Sequence, residues 1–280
     1  MSVPANVGVL GGGRMGGGIA HAFLLAGAKV HVVDVHDEAV NAARERIHKD
    51  IEVSVARGAE GRFADYAGRL SLSTSPADFA GCEVVVEAVP ESLELKRASF
   101  ASISQHAPQA VIATNTSSLS VSELARSVDN DVIGLHFFNP VPASKLVEIV
   151  VADSTPAPLV HAARTWVEGL GKTPIVVADA PGFASSRLGV AIALEAIRMV
   201  EDAVASPEDI DNAMVLGYKF PIGPLALTDI VGLDVRLGIA EYLESTLGPR
   251  FAPPQLMRDM VARGELGRKT GKGFYSYEEK

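Results

Sequence analysis

The stretch NVGVLGGGRMGGGIA, residues 6–20, narrows the possible folds more than any other part of the chain. A short apolar run enters a glycine loop, and a helical pattern leaves it. The glycines at 11, 13 and 16 have the spacing G-x-G-x-x-G. The next apolar run, KVHVVDV, contains Asp34, eighteen residues after Gly16. Strand, glycine turn, helix, second strand and terminal acid are the parts of a dinucleotide-binding βαβ unit. The glycines allow a tight turn and close backbone approach. The helix N-terminus offers unpaired N–H groups and a positive dipole end to a pyrophosphate. Gly11, Gly13, Arg14, Met15 and Gly16 are expected around that pyrophosphate, and Asp34 is expected to accept hydrogen bonds from the adenosine ribose. A carboxylate there repels a 2′-phosphate, so NAD is favoured over NADP. FAD shares the fingerprint, but nothing else in the chain points to a flavin.

Short apolar runs and helical patterns alternate as far as TPIVVAD, residues 173–179. That alternation predicts an α/β, Rossmann-like domain with a parallel sheet covered on both faces. The pattern changes at DAPGF, residues 179–183. Beyond it almost no strand signal remains. A long apolar helix is expected over 184–204. A second begins with Ser206 as N-cap and Pro207 at its first position, and two more fall near 228–246 and 253–263. An α/β NAD-binding domain over residues 1–182 and an all-α domain over 183–280 follow. The helix from 184 is apolar over much of its surface, so it is buried or meets a second subunit.

Of the 280 residues, 48% are hydrophobic and 21% charged, as in ordinary globular chains, and the net charge is -9. With no long Lys/Arg run, nucleic acid is not an expected partner. The single cysteine, Cys82, rules out an intramolecular disulfide. The start lacks the basic and apolar regions of a secretory signal. The best membrane-span candidate, LGVAIALEAIRMV, carries Glu195 and Arg198. The expectation is a cytoplasmic protein away from membranes. Histidines 21, 31, 36, 48, 106 and 161 show no ligand spacing, so no metal is expected.

In LHFFNPVPASKLVEIV, residues 135–150, His136 and Glu148 stand in two apolar runs, equidistant from Pro142. If the runs fold back around that point, the two side chains become cross-strand neighbours. A carboxylate beside an imidazole fixes its tautomer. Hydride transfer from an alcohol needs a base to take the hydroxyl proton. A structural His–Glu pair explains the spacing equally well, but a dinucleotide domain in the same chain favours catalysis.

Together with GVLGGGRMGGGIA, VVEAVPESLELK, ATNTSSLS, DAPGF, EDIDNAMVLGYKFPIGPLALTDIVGLD and GRKTGKGFYSY, this stretch makes the chain resemble the L-3-hydroxyacyl-CoA dehydrogenases of the 3-hydroxybutyryl-CoA type, over nearly its whole length. The resemblance implies His136 as catalytic base, Glu148 as its partner and Ser117 as a substrate contact. It implies Glu91, Lys96, Asn115, Asn139 and Lys269 around the nicotinamide half of NAD. Read without it, Glu91 and Lys96 form an ordinary solvated helix start, and Ser117 caps the helix after its strand. One position departs: an active-site asparagine is usual before RL, and here Ser186 stands there. Lys49 and Arg57 are the expected basic residues for CoA, on roughly one helix face, with a solvated face as the alternative.

These readings imply NAD-dependent interconversion of (S)-3-hydroxyacyl-CoA and 3-oxoacyl-CoA with short acyl chains, in a homodimer joined through the helical domain. The alternatives are 3-hydroxyadipyl-CoA or a free hydroxy acid as substrate and, from another class, a non-catalytic NAD-binding structural protein.

Overall fold

The structure, a computed structural model, describes residues 3–277. Two compact units divide the chain, Met1–Ala180 and Pro181–Lys280.

The first unit is built on one eight-stranded sheet, with strands β1 (Asn6–Leu10), β2 (Lys29–Val33), β3 (Leu70–Ser73), β4 (Val84–Glu87), β5 (Val111–Thr114), β6 (Val132–Phe137), β7 (Leu146–Val151) and β8 (Thr173–Ala178). Their order is β3-β2-β1-β4-β5-β6-β7-β8. Between them run helices α1 (Arg14–Leu25), α2 (Asp37–Ala56), α3 (Phe63–Ala67), α4 (Leu93–His106), α5 (Val121–Ala125) and α6 (Ala157–Gly169). β4 and β6 are buried at every residue, which is why they read as unbroken apolar runs. α2 shows the helical counterpart. His36 caps it by accepting from the Ala39 N–H, Asp37 and Glu38 fill its first turn, and Val40, Ala43, Ile47 and Ile51 bury one stripe. Each such fully buried branched side chain contributes about 1.5–3 kcal/mol.

One strand departs from the expected parallel sheet. β7 runs antiparallel to β6, while the other neighbouring strands pair in parallel. The reason is length. Only residues 138–145 lie between β6 and β7, and a parallel crossover needs about a dozen residues or more. The chain must turn back on itself.

The second unit is helical, with α7 (Ser185–Glu201), α8 (Pro207–Asn212), α9 (Pro224–Val231), α10 (Leu233–Leu247) and α11 (Gln255–Ala262). Ser206 caps α8 by accepting from the Asp209 N–H. The single helix expected near 228–246 is in fact two. Gly232 has φ +104°, outside the helical range, and separates α9 from α10. The core of this unit gathers Val190, Leu194 and Ile197 of α7 with Leu225, Leu243, Phe251 and Met257. Asp229 of α9 secures the C-terminal GKGFYSY stretch: its carboxylate accepts from the N–H groups of Phe274 and Tyr275 and the Tyr277 hydroxyl. No helix among the described residues is long and apolar enough to cross a membrane.

Candidate active site

The glycine loop leaves β1 at Leu10 and enters α1 at Arg14. Gly11 has φ +92°, and a Cβ on Gly16 would fall 1.7 Å from the Gly11 carbonyl oxygen, so only glycine lets the helix start this close to the strand. Gly13 precedes the helix without a side-chain cap, and a Cβ there would meet nothing within 4 Å. The first N–H groups of the helix thus have no side-chain cap, which leaves them to a pyrophosphate. Asp34 follows β2 directly. One of its oxygens accepts from the Gly12 N–H at 2.7 Å and the other from Val35 at 2.8 Å. Each oxygen keeps further acceptor capacity for a ribose hydroxyl. Arg46 of α2, which sequence reading passes over, braces the loop by donating to the Gly12 carbonyl at 2.7 Å. The residues present fit a dinucleotide.

Lys96 is not on a solvated helix start. It is 1% exposed, and its ammonium lies 2.8 Å from Glu87, itself 0% exposed. It also donates to the Val89 carbonyl at 3.2 Å. Glu87 is the residue sequence reading missed. Its signal was visible: a carboxylate inside the apolar run VVVEAV needs a partner, as Glu148 does. Thr114 and the Val89 N–H donate to Glu87 as well.

Glu91 in turn organises the turn after β5. One of its oxygens accepts from the Thr116 hydroxyl, the Ser117 N–H, and both the N–H and hydroxyl of Ser118, at 2.7–3.0 Å. Burial pushes the Glu91 pKa up, but Lys96 and these donors outweigh burial and hold it below the ordinary carboxylate value. Ser117 is half-buried and does not cap the next helix. Ser120 caps α5, accepting from the Glu123 N–H. Asn115 accepts from the Phe137 N–H at 2.9 Å and ties the end of β5 to the end of β6. Asn139 is exposed in the turn beyond β6.

His136 and Glu148 pair directly across β6 and β7. The imidazole Nδ1 lies 2.7 Å from the carboxylate, with the two residues 5% and 0% exposed. A carboxylate only accepts, so Nδ1 carries the proton and Nε2 is the basic nitrogen. Phe138 packs on the imidazole with ring centroids 4.6 Å apart. The hairpin is pinned from outside by Lys172, whose ammonium donates to the carbonyls of Val141 and Ser144. Nothing in its local sequence marks Lys172 for that task.

A cavity of about 630 Å3 opens beside this hairpin, against the C-terminal halves of α1 and α2; His21, Asp50, Arg57, Pro142 and Lys172 line it. Arg57 reaches it from just past the end of α2. Lys49 is exposed and does not line it.

Two further expected residues belong to the second unit. Ser186 is the second residue of α7 and half-buried. Lys269 lies 2.6 Å from Asp234, near the start of α10. Among the described residues, no group of three or more His, Cys, Asp or Glu is placed to hold a metal ion.

Known proteins resemble this chain in sequence and fold. The family model of the 3-hydroxyacyl-CoA dehydrogenase NAD binding domain matches residues 6–180, and that of the C-terminal domain matches residues 182–277. The chain is 41% identical over 282 residues to the 3-hydroxybutyryl-CoA dehydrogenase of Mycobacterium tuberculosis, covering 97% of this chain and 98% of that one. It is 37% identical over 290 residues to the mitochondrial hydroxyacyl-coenzyme A dehydrogenase of Sus scrofa, covering 98% and 91%. The crystal structure of the (S)-3-hydroxybutyryl-CoA dehydrogenase of Ralstonia eutropha superposes with a TM-score of 0.93 at 38% identity, covering 99% of this chain and all of that one. With both family domains matched in order and relatives aligned end to end, the chain belongs to the 3-hydroxyacyl-CoA dehydrogenase family of NAD-dependent oxidoreductases.

Proposed function

We propose that this NAD-dependent 3-hydroxyacyl-CoA dehydrogenase interconverts (S)-3-hydroxyacyl-CoA and 3-oxoacyl-CoA with short acyl chains, and that His136 and Glu148 carry its acid–base step. The observation behind this reading is the buried 2.7 Å contact between His136 Nδ1 and Glu148 in a chain with a complete dinucleotide loop. NAD, when bound, supplies the acceptor for the hydride leaving C3 of the alcohol. His136 takes the 3-hydroxyl proton on Nε2 as the carbonyl forms. Glu148 holds the imidazole in that tautomer and balances the imidazolium. Ser117, on the turn held by Glu91, donates to the substrate oxygen.

Gly11, Gly13, Arg14, Met15 and Gly16 hold the pyrophosphate, and Asp34 the ribose. Glu91, Asn115, Asn139 and Lys269 are assigned to the nicotinamide half. Lys96 is engaged by Glu87 and Val89, so we assign it the positioning of Glu91 rather than direct contact. Ser186 takes the place of the usual asparagine.

The test is NADH oxidation with acetoacetyl-CoA. Steady turnover supports the reading. Absence of turnover with any 3-oxoacyl-CoA, while NADH still binds, leaves a non-catalytic NAD protein. Arg57 lines the cavity beside the catalytic hairpin and Lys49 does not, so Arg57 is assigned to CoA. Arg57→Ala is expected to raise KM for acetoacetyl-CoA about tenfold, the scale of one charge-assisted hydrogen bond, and Lys49→Ala to change it less than twofold. Equal effects would return both to a generic basic face.

A homodimer through the second unit is part of the proposal. Leu188 of α7, Ile230 of α9 and Val235 of α10 are 63%, 50% and 46% exposed on helices that touch one another. Apolar surface of this kind favours association. Light scattering is expected to return about twice the 29.4 kDa chain mass, and a monomer at micromolar concentration contradicts it.

A further inference from the structure

The chain passes from α6 to β8 in a short, fixed turn. Gly171 takes φ +70°, the Lys172 N–H donates to the Val167 carbonyl of α6, and the Thr173 N–H donates to the Lys145 carbonyl at 2.6 Å. Lys172 is thereby set beside the link 138–145. Its ammonium donates to the carbonyls of Val141 and Ser144, both at 2.6 Å. An ammonium carries three donors, so one remains. Burial pushes the Lys172 pKa down, and among the described residues no carboxylate stands within ion-pair distance of it. Two carbonyl dipoles hold this charge in place without neutralising it.

Lys172 lines the cavity of about 630 Å3, as do Pro142 and Ala143 of the link itself. Arg57 is the second cation on its wall and Asp50 its one carboxylate. His21 on the same wall is 2% exposed. Burial holds its imidazole below the ordinary pKa, with Asp50 and its carbonyl pulling the other way, so it adds no charge at neutral pH. The cavity is thus a locally positive hollow in a chain of net charge -9, which suits an anion. Whatever occupies it touches the link, and the link joins β6, which carries His136, to β7, which carries Glu148.

We propose that a phosphate at the nucleotide end of CoA, bound in this cavity, takes the remaining donor of Lys172 and so fixes the link that sets the His136–Glu148 pair. Lys172 is then a positioning residue, acting on the acid–base pair through the backbone of the link. The inference rests on the assignment of Arg57 to CoA in the proposed function and goes beyond it. Arg57 supplies affinity, which shows in KM. Lys172 turns part of the same binding into rate, which shows in kcat. A thioester without the nucleotide is therefore a slow substrate, and the nucleotide half added separately activates it.

The experiment splits the substrate in two. NADH oxidation is followed with S-acetoacetyl-N-acetylcysteamine, which lacks the nucleotide, in the presence and absence of adenosine 3′,5′-bisphosphate, with inorganic phosphate as a second probe. In the wild type, saturating bisphosphate is expected to raise kcat about tenfold, the scale of one charge-assisted hydrogen bond. Inorganic phosphate at the same concentration is expected to change it by less than about twofold, because it lacks the rest of the nucleotide. Arg57→Ala is expected to need about tenfold more bisphosphate to reach the same maximum. Lys172→Met is expected to lose the activation itself, and Lys172→Arg to keep part of it. No activation in the wild type overturns the inference, even if the Lys172 variants fail to fold. So does full activation in Lys172→Met, or an effect confined to KM for the thioester. Equal activation by inorganic phosphate also overturns it, since the cavity would then take any free anion. Wild-type turnover of acetoacetyl-CoA without a nucleotide effect on the truncated thioester sinks this inference alone. No turnover of acetoacetyl-CoA sinks the proposed function beneath it.

Discussion

His136→Ala is expected to lower kcat with acetoacetyl-CoA by 10²- to 10⁴-fold, the contribution of one positioned general acid or base. Binding of NADH is expected to persist, because the glycine loop lies at β1 and α1, and His136 lies on β6. Glu148→Gln tests the other half. An amide can donate toward Nδ1, which moves the proton to Nε2 and removes the basic nitrogen from the place where it is needed. A loss of about 10²-fold or more is expected there too. Stopped-flow NADH oxidation with titrated binding separates the two quantities. If His136→Ala keeps activity within tenfold of the wild type, the pair is structural and the base lies elsewhere.

The second large effect is on stability. Lys96→Met removes the only cation within ion-pair distance of Glu87 among the described residues and leaves that carboxylate 0% exposed. Breaking one side of such a pair costs about 3–5 kcal/mol, a large share of the 5–15 kcal/mol that holds a typical domain together. Chemical denaturation of the variant is expected to show the loss. The double variant Lys96→Met/Glu87→Gln is expected to recover part of it, since no unpaired charge remains. Glu91 adds a pH signature. Its carboxyl is held below the ordinary value, so its contribution is present at neutral pH and disappears as pH falls through its folded-state pKa. Without Lys96 that loss is expected to begin at higher pH. A single variant as stable as the wild type would show that the Glu87 site takes up a proton or water freely.

The His136–Glu148 contact was legible from spacing alone, because symmetric placement about a turn and an apolar run on each side leave cross-strand pairing as the simple geometry. The place of Asp34 was legible for the same kind of reason: it directly follows β2 and reaches the glycine loop. Much of what escaped depended on how one element meets another. Lys96 read as solvated because its helix start is polar, yet its partner Glu87 lies nine residues back on another element. Ser117 and Ser120 are equally good caps on paper, and only the course of the turn under Glu91 decides for Ser120. The break at Gly232 was hidden by apolar periodicity on both sides of it. The antiparallel course of β7 was legible only as the condition of a fold-back around Pro142; the eight-residue link 138–145, too short for a crossover, is what requires it.

Surface turns are usually where chains absorb insertions and deletions. The turn over residues 138–145 is a poor place for either. β6 is buried at every residue and β7 at its four central ones, so neither strand has the polar face that would resist a slip along its neighbour. A slip of one residue would carry Glu148 to the opposite side of the sheet from His136 while leaving the apolar burial almost unchanged. The link therefore acts as a spacer whose length sets the register of the pair. Apart from Phe138, packed on the imidazole, and Asn139, assigned to the nicotinamide, variation in this link is expected to be free in residue identity long before it is free in residue number.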